Sequence, residues 1–107
     1  MRLFRFFRNT ADMNASVAEY KTNDGAVLLD VRTEEEYRDG HIEGSVNIPL
    51  DRISSVENIV KDKSTPLYVH CLSGGRSGQA VSYLKQIGYT NVKNIGGISN
   101  YRGKVVK

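Results

Sequence analysis

Four short segments along the chain, each rich in apolar residues, predict strands. They lie at residues 26–31 (AVLLDV), 45–48 (SVNI), 67–71 (LYVHC) and 91–95 (NVKNI), and Gly96-Gly97 should form a turn after the last of them. The first is a continuous apolar run, which is typical of a parallel strand buried on both faces of a sheet.

Two segments in the first half of the chain carry helix start and stop signals, one before the first strand and one after it. We expect a helix over residues 14–22 with Asn14 as its N-cap. A short acidic helix should follow the first strand, because Thr33 can cap it, its first turn is rich in Glu, and Gly40 can end it.

Two later segments predict amphipathic helices, at residues 51–60 and 76–87. Their apolar residues recur at helical spacing and should face the sheet. The two stripes are Ile53, Val56, Ile59 and Val60, and Ala80, Val81, Leu84 and Ile87.

Strands and helices therefore alternate, which predicts an α/β domain with a mostly parallel sheet and helices on both faces. The chain of 107 residues has the length of one domain. We expect a flexible leader at residues 1–12 and the domain at residues 13–107. Ligands of such sheets bind beyond the carboxyl ends of the strands, and Cys71 lies at such an end.

The composition argues against nucleic-acid binding, a metal site and a membrane span. A net charge of +3, spread along the chain, gives no basic stripe for nucleic acid. One cysteine rules out an internal disulfide, and one cysteine with two histidines argues against a protein-built zinc site, so we expect no metal and no cofactor. No run approaches the roughly 20 apolar residues of a membrane span.

The first ten residues, MRLFRFFRNT, differ from a signal peptide because Arg5 and Arg8 interrupt the apolar run. We therefore expect a cytoplasmic protein. A membrane-surface contact of residues 1–8, or a trimmed leader, remains the alternative.

The candidate site is the segment 70–77, His-Cys-Leu-Ser-Gly-Gly-Arg-Ser, where a strand ends, a glycine loop turns and a helix begins. Successive backbone N–H groups in such a loop can form an anion-binding nest, and the helix N-terminus adds partial positive charge. Gly74 and Gly75 permit the tight backbone, and Arg76 adds a cation. A thiol in this field ionises readily, which makes Cys71 the candidate nucleophile.

The number of residues between Cys71 and Arg76 distinguishes between two kinds of anion-binding loop. Protein tyrosine phosphatases have a similar segment, H-C-x5-R-[ST], whereas this chain has H-C-x4-R-S. The shorter loop gives a smaller ring of N–H donors, which suits a single terminal sulfur atom better than a phosphate group. The phosphatase reaction also needs a general acid on a separate loop, and the sequence offers no clear candidate.

Four ordered blocks, spanning residues 13–102, resemble the rhodanese family and especially its small bacterial single-domain members of the phage-shock type. The blocks are Asp30-Val31-Arg32 with Glu36-Tyr37, the run 40–49 (GHIEGSVNIP), the loop 70–77, and Gly96-Gly97 with Tyr101.

The resemblance implies a single rhodanese-like domain with a central sheet of about five strands flanked by helices. It also implies a sulfurtransferase that moves sulfane sulfur from a donor such as thiosulfate to cyanide or a thiol through a persulfide on Cys71. The implied substrate cradle consists of Leu72, Ser73, Gly74, Gly75, Arg76 and Ser77.

Two positions depart from the family pattern. Many thiosulfate-using members have a basic residue where this chain has Leu72, and Tyr101 replaces the usual tryptophan. The expected partners are a small anionic sulfur donor and a thiophilic acceptor, with a sulfur-relay protein as a further candidate, and we expect the chain to act as a monomer. The alternatives are a sulfur-carrier module loaded by a partner such as a cysteine desulfurase, and a phosphatase-like or arsenate-reducing enzyme.

The other polar candidates have structural interpretations. Asp30 and Arg32 should form a hydrogen-bonded scaffold at a strand end, and His41 should make structural hydrogen bonds in a turn. His70 precedes Cys71, but neighbours on a strand point to opposite faces, so His70 should not act as its base.

Overall fold

A computed structural model describes residues 12–107, so that all but the last residue of the expected leader at residues 1–12 lies outside the described part. Within these residues, the central sheet has four strands, all parallel. They are β1 (Val27–Asp30), β3 (Val46–Asn47), β4 (Leu67–Cys71) and β5 (Val92–Gly97), and their spatial order is β3-β1-β4-β5.

Two further strands, β2 (His41–Ile42) and β6 (Val105–Val106), form a separate antiparallel pair. The four-stranded parallel sheet is close to the expected count of about five strands. The pair joins residues more than sixty positions apart, and strands of two residues carry no sequence periodicity.

Helices cover both faces of the sheet, as predicted. They are α1 (Met13–Lys21), α2 (Glu34–Asp39), α3 (Val56–Ile59) and α4 (Gly75–Gln86), with 3₁₀ turns at Leu50–Ser55 and Ile98–Asn100. Helix α1 packs on β4 and β5 on one face, and α4 packs on the same strands from the other face.

Each face has its own apolar core. Beneath α4, the core includes Leu29, Val69, Ala80, Leu84 and Cys71. Beneath α1, the core includes Met13, Val17, Leu28, Tyr68 and Ile95. Alternate residues of β1 and β4 thus enter opposite cores, as the two-residue period of a strand requires.

Helix α1 begins earlier than expected. Asp12 is its N-cap and accepts a hydrogen bond from the Ala15 N–H at 3.1 Å. The predicted cap, Asn14, instead receives the Arg102 N–H at 2.8 Å and donates to the Asn100 carbonyl at 3.1 Å. The prediction was wrong because a distant chain segment uses the side chain that could have capped the helix.

The acidic helix α2 follows the prediction closely. Thr33 accepts from the Glu36 N–H at 3.1 Å, and the Glu36 carboxylate accepts from the Thr33 N–H at 2.9 Å. This reciprocal capping box fixes the Glu36 side chain near the start of α2. The helix ends before Gly40.

The segment predicted as one helix over residues 51–60 is instead a 3₁₀ turn followed by the single turn α3. The backbone leaves helical geometry at Arg52 (φ −123°, ψ 24°), Ile53 lies in the 3₁₀ turn, and Val60 is the extended C-cap of α3, so the predicted stripe does not lie on one regular helix. Ile53, Val56 and Val60 are buried, but Ile59 is 54% exposed.

The last parallel strand is longer than the predicted segment 91–95, because Gly96 and Gly97 pair with β4 rather than forming a turn. The pairing register shifts between Val69 and His70, so that Cys71 lies opposite Gly97. Gly96 has φ +101°, which an L side chain rarely adopts. This bulge brings the end of β5 against the loop that follows Cys71.

Candidate active site

Cys71 is the last residue of β4, and its side chain is buried, with 1% of the residue exposed. Its sulfur receives backbone hydrogen bonds from Gly74 at 3.0 Å and Ser77 at 3.3 Å. The thiol also lies 3.4 Å from the Ser77 hydroxyl oxygen, to which it donates. The sulfur is thus surrounded by polar donors although it lies in an apolar core.

Gly74 makes this arrangement possible. It is the N-cap of α4 and has φ +112°, in the left-handed region that favours glycine. With this backbone turn, the loop folds back over Cys71, and the Ser77 amide in the first turn of α4 also reaches the sulfur. These amides are among the N–H groups that a helix leaves without an internal partner.

The surroundings of Cys71 act on its pKa in opposite directions. Burial raises the pKa of the thiol, while its hydrogen bond with the Ser77 hydroxyl and those from the amides of Ser77, Gly74 and Ser73 lower it. The balance leaves the pKa of Cys71 below its ordinary value. The site therefore favours the thiolate, which is the nucleophilic form.

The guanidinium of Arg76 is bound to Glu36. Its two terminal nitrogens donate to the two carboxylate oxygens at 2.8 and 3.1 Å. This hydrogen bond holds the pKa of Glu36 at about 2, although burial raises it in part. The sequence placed Arg76 in the cradle as a cation, and the structure gives that cation a carboxylate partner.

Asn94 is a site residue that sequence reasoning missed. Its Oδ1 accepts from the Ser77 hydroxyl at 2.7 Å and from the Gly96 N–H at 3.0 Å. Its Nδ2 donates to the Gly74 carbonyl at 3.3 Å. The side chain therefore joins β5 to both residues whose amides reach Cys71, and no local sequence signal marks it.

Gly97 supports the loop from below. A Cβ atom at this position would lie 2.1 Å from the Leu72 carbonyl oxygen and 2.5 Å from the Ser73 Cα. The Ser99 N–H also donates to the Leu72 carbonyl at 3.1 Å. The paired glycines in the sequence were a usable signal, but we assigned them to a turn.

The remaining loop residues differ in exposure. Leu72 is 44% exposed directly beside the nucleophile, and Ser73 and Gly75 are also exposed. Ser77 is fully buried. The mouth of the site thus presents an apolar side chain where many family members have a basic one.

Asp30 and Arg32 form a buried ion pair beside the site. The Arg32 Nη2 lies 2.7 Å from Asp30 Oδ2 and also donates to the Gly40 carbonyl at 2.8 Å. The His70 ring is fully buried, and its Nε2 lies 3.9 Å from Asp30 Oδ2. Burial lowers the pKa of His70, so it is neutral at neutral pH.

His41 lies in strand β2 rather than in a turn. Its Nδ1 is 2.9 Å from the Tyr37 carbonyl oxygen, and its ring stacks on the Tyr37 ring at 3.8 Å between centroids. Tyr101 packs against the core beneath α1.

Within residues 12–107, no three His, Cys, Asp or Glu side chains gather in a way that could hold a metal ion. Across the same stretch, none of the helices has the length and apolar character needed to span a bilayer.

The parallel sheet and the Cys71 loop define a single-domain α/β protein with a cysteine at the centre of an anion-binding turn. The chain belongs to the rhodanese family, because the sequence profile of the Rhodanese-like domain matches residues 13–104.

Relatives of known name agree with this assignment. Thiosulfate sulfurtransferase PspE of Escherichia coli (strain K12) is 39% identical over 80 residues, which cover 74% of this chain and 77% of that protein. Adenylyltransferase and sulfurtransferase uba4 of Ogataea parapolymorpha is 36% identical over 95 residues, 88% of this chain but only 24% of that longer protein.

A solved structure described as a rhodanese with anions from E. coli is similar in fold as well as sequence. It has a TM-score of 0.72 at 37% identity, and the match covers 77% of this chain and 98% of that one. Together these similarities support a sulfurtransferase of the rhodanese type.

Proposed function

We propose that the protein transfers sulfane sulfur from a small anionic donor such as thiosulfate to a thiophilic acceptor, through a persulfide on Cys71. The observation that carries the proposal is the buried Cys71 sulfur with backbone N–H donors at 3.0 and 3.3 Å. Such donors stabilise a negatively charged sulfur without a metal ion or cofactor.

In the first half-reaction, the Cys71 thiolate attacks the outer sulfur of thiosulfate. A new S–S bond forms, the S–S bond of thiosulfate breaks, and its electron pair leaves with sulfite. The product is the persulfide anion Cys71–S–S⁻, with no net change in charge. Two electron pairs have moved and no external oxidant or reductant is needed.

In the second half-reaction, an acceptor such as cyanide attacks the terminal sulfur of the persulfide. The S–S bond breaks, thiocyanate leaves, and the Cys71 thiolate is restored. The Gly74 and Ser77 amides stabilise the thiolate in both half-reactions, so the same ring serves the nucleophile and the leaving group. His70 takes no part, because its hydrogen-bonding contact is to the Cys71 carbonyl oxygen and not to the sulfur.

The test is thiocyanate formation from thiosulfate and cyanide, combined with intact-mass measurement of the enzyme after the donor alone. We expect the wild-type chain to gain one sulfur atom and Cys71→Ser to gain none and form no thiocyanate. Ser64→Ala is a matched control, because Ser64 bonds only to Asp62 in a loop outside the site. A wild-type chain that acquires no sulfur from any sulfane donor would refute the proposal.

A second candidate function is a sulfur carrier that a partner protein loads. The exposed Leu72 beside Cys71 favours it, since an apolar rim suits a protein surface better than an inorganic dianion. Intact mass after exposure to each donor separates the two functions. Sulfur gained from a cysteine desulfurase, with little from thiosulfate, would identify the carrier.

A further inference from the structure

Glu36 and Arg76 form a bidentate ion pair. Both terminal nitrogens of Arg76 face both oxygens of Glu36, at 2.8 and 3.1 Å. The two side chains are only 34% and 31% exposed, so water screens the pair incompletely. A bidentate pair of this kind holds the arginine fork in one orientation.

Hydrogen bonds from Thr33 hold the Glu36 side chain in place independently of Arg76. Its Oε1 accepts from the Thr33 N–H at 2.9 Å and from the Thr33 hydroxyl at 3.1 Å, as part of the capping box of α2. The carboxylate therefore belongs to the rigid start of one helix, while Arg76 belongs to the first turn of another. The ion pair therefore links the start of α4, next to the Cys71 loop, to the start of α2, forty residues earlier in the chain.

The pair changes the charge that the loop presents. Arg76 directly follows Gly75 at the exposed end of the Cys71 loop, and its pKa is raised by Glu36 and, to a smaller degree, by the negative charge of the Cys71 thiolate. Because Glu36 carries the opposite charge at 2.8 Å, the two side chains together are neutral. The attraction that remains comes from amide dipoles and the start of α4, beside the apolar Leu72.

We propose that Glu36 determines donor specificity by neutralising Arg76, so that the site prefers donors with one negative charge over the dianion thiosulfate. The inference rests on the sulfur-transfer function proposed above and adds a residue that sets its substrate class. Glu36 does not touch the reacting sulfur, and it acts through Arg76.

Two donors with the same reacting group test this inference. Thiosulfate carries two negative charges, whereas methanethiosulfonate replaces one oxygen of thiosulfate with a methyl group and carries one. Both deliver their terminal sulfur to the Cys71 thiolate, with sulfite or methanesulfinate leaving with the electron pair. Coulomb energy is proportional to charge, so an uncompensated Arg76 should favour the dianion about twice as strongly in free energy.

Glu36→Gln is the informative variant, because glutamine keeps the capping box and loses the charge. We expect kcat/KM for thiosulfate to rise by about tenfold, mainly through a lower KM, and by about threefold for methanethiosulfonate. Added salt should shrink both gains. Glu34→Gln is the matched control, since it removes the same charge from the same helix at a residue paired with the exposed Arg52.

A variant of Arg76, the other partner in the ion pair, tests whether the effect of Glu36→Gln comes from its charge or from a change in folding. Arg76→Gln leaves the Glu36 charge without its partner, so we expect thiosulfate transfer to fall more than methanethiosulfonate transfer. The double variant, with both side chains replaced by Gln, should recover the wild-type ratio of the two donors. Thermal melting curves confirm that each variant is folded.

Equal changes for the two donors, or a Glu36→Gln effect no larger than that of Glu34→Gln, would overturn the role of Glu36. In that event a wild-type chain that still gains sulfur on Cys71 leaves the proposed function standing. A wild-type chain that gains sulfur from neither donor nor from any other sulfane compound defeats the proposed function itself.

Discussion

Replacing Gly97 with alanine should move the Cys71 loop while leaving the rest of the domain folded. The new Cβ would lie 2.1 Å from the Leu72 carbonyl oxygen, 2.5 Å from the Ser73 Cα and 2.6 Å from the Leu72 carbonyl carbon. All three are backbone atoms, so no side chain can rotate away to relieve the contact. Gly97 also pairs with Cys71 across the sheet, which limits the movement of β5.

The size of the effect follows from these distances. Non-bonded carbon atoms are most stable about 3.5–4.0 Å apart, so the loop or the strand must shift by about 1 Å or more. Overpacking of this kind costs about 1–3 kcal/mol, which a domain stable by about 5–15 kcal/mol survives. A misplacement of about 1 Å at a reacting group can reduce the rate about 100-fold.

We therefore expect Gly97→Ala to lower kcat/KM for sulfur transfer by about 100-fold and to leave a cooperative unfolding transition. Gly78→Ala is the matched control. Its Cβ would meet Asn94 Nδ2 at 3.5 Å, an ordinary contact, and alanine suits the interior of α4 better than glycine. Near-equal sulfur-transfer rates for the two variants would refute the close approach of β5 to the loop.

Three further predictions concern the site and its support. Ser77→Ala should raise the pKa of Cys71, read from the pH dependence of alkylation, because the Ser77 hydroxyl lowers that pKa; an unchanged profile would contradict this. The pKa of Glu36 is about 2 against an ordinary 4.5, so its ionised form stabilises the fold above about pH 4.5, and this is lost as the pH falls towards 2. The melting temperature of Glu36→Gln should fall less than that of wild type over this range, and parallel curves would count against it. Asp30→Asn should cost about 3–5 kcal/mol in urea unfolding, because it leaves the Arg32 charge buried without its partner, and a loss below about 1 kcal/mol would be inconsistent with that pair.

The architecture could be predicted because its signals are local. The strand ending at Cys71, the capped acidic helix and the stripe of Ala80, Val81 and Leu84 each lie within one short segment. The predicted cap of α1 was wrong because Asn14 bonds to Asn100 and Arg102, which lie far along the chain. The strand pair β2–β6 was missed because its two strands are short and distant from each other in sequence.

The residues of the candidate site likewise divide into those that the sequence indicated and those that only the structure revealed. The nucleophile, the glycine loop and the helix start follow one another along the chain, so their chemistry was readable before the fold was known. Glu36 belonged to a recognisable block, but its contact with Arg76 crosses forty residues. Asn94 carried no signal, and the paired glycines Gly96 and Gly97 were read as a turn.

The amino-acid sequence by itself determined the order of strands and helices, the position of Cys71 at a strand end and the donor-rich loop after it. Backbone geometry and periodicity act over a few residues, which is why these features could be predicted. Only the tertiary structure decided how that loop is held and how its charge is balanced. Those properties depend on the contacts that β5 and α2 make with the loop. Both elements lie outside the loop's own segment of the chain, so these contacts form only in the folded structure.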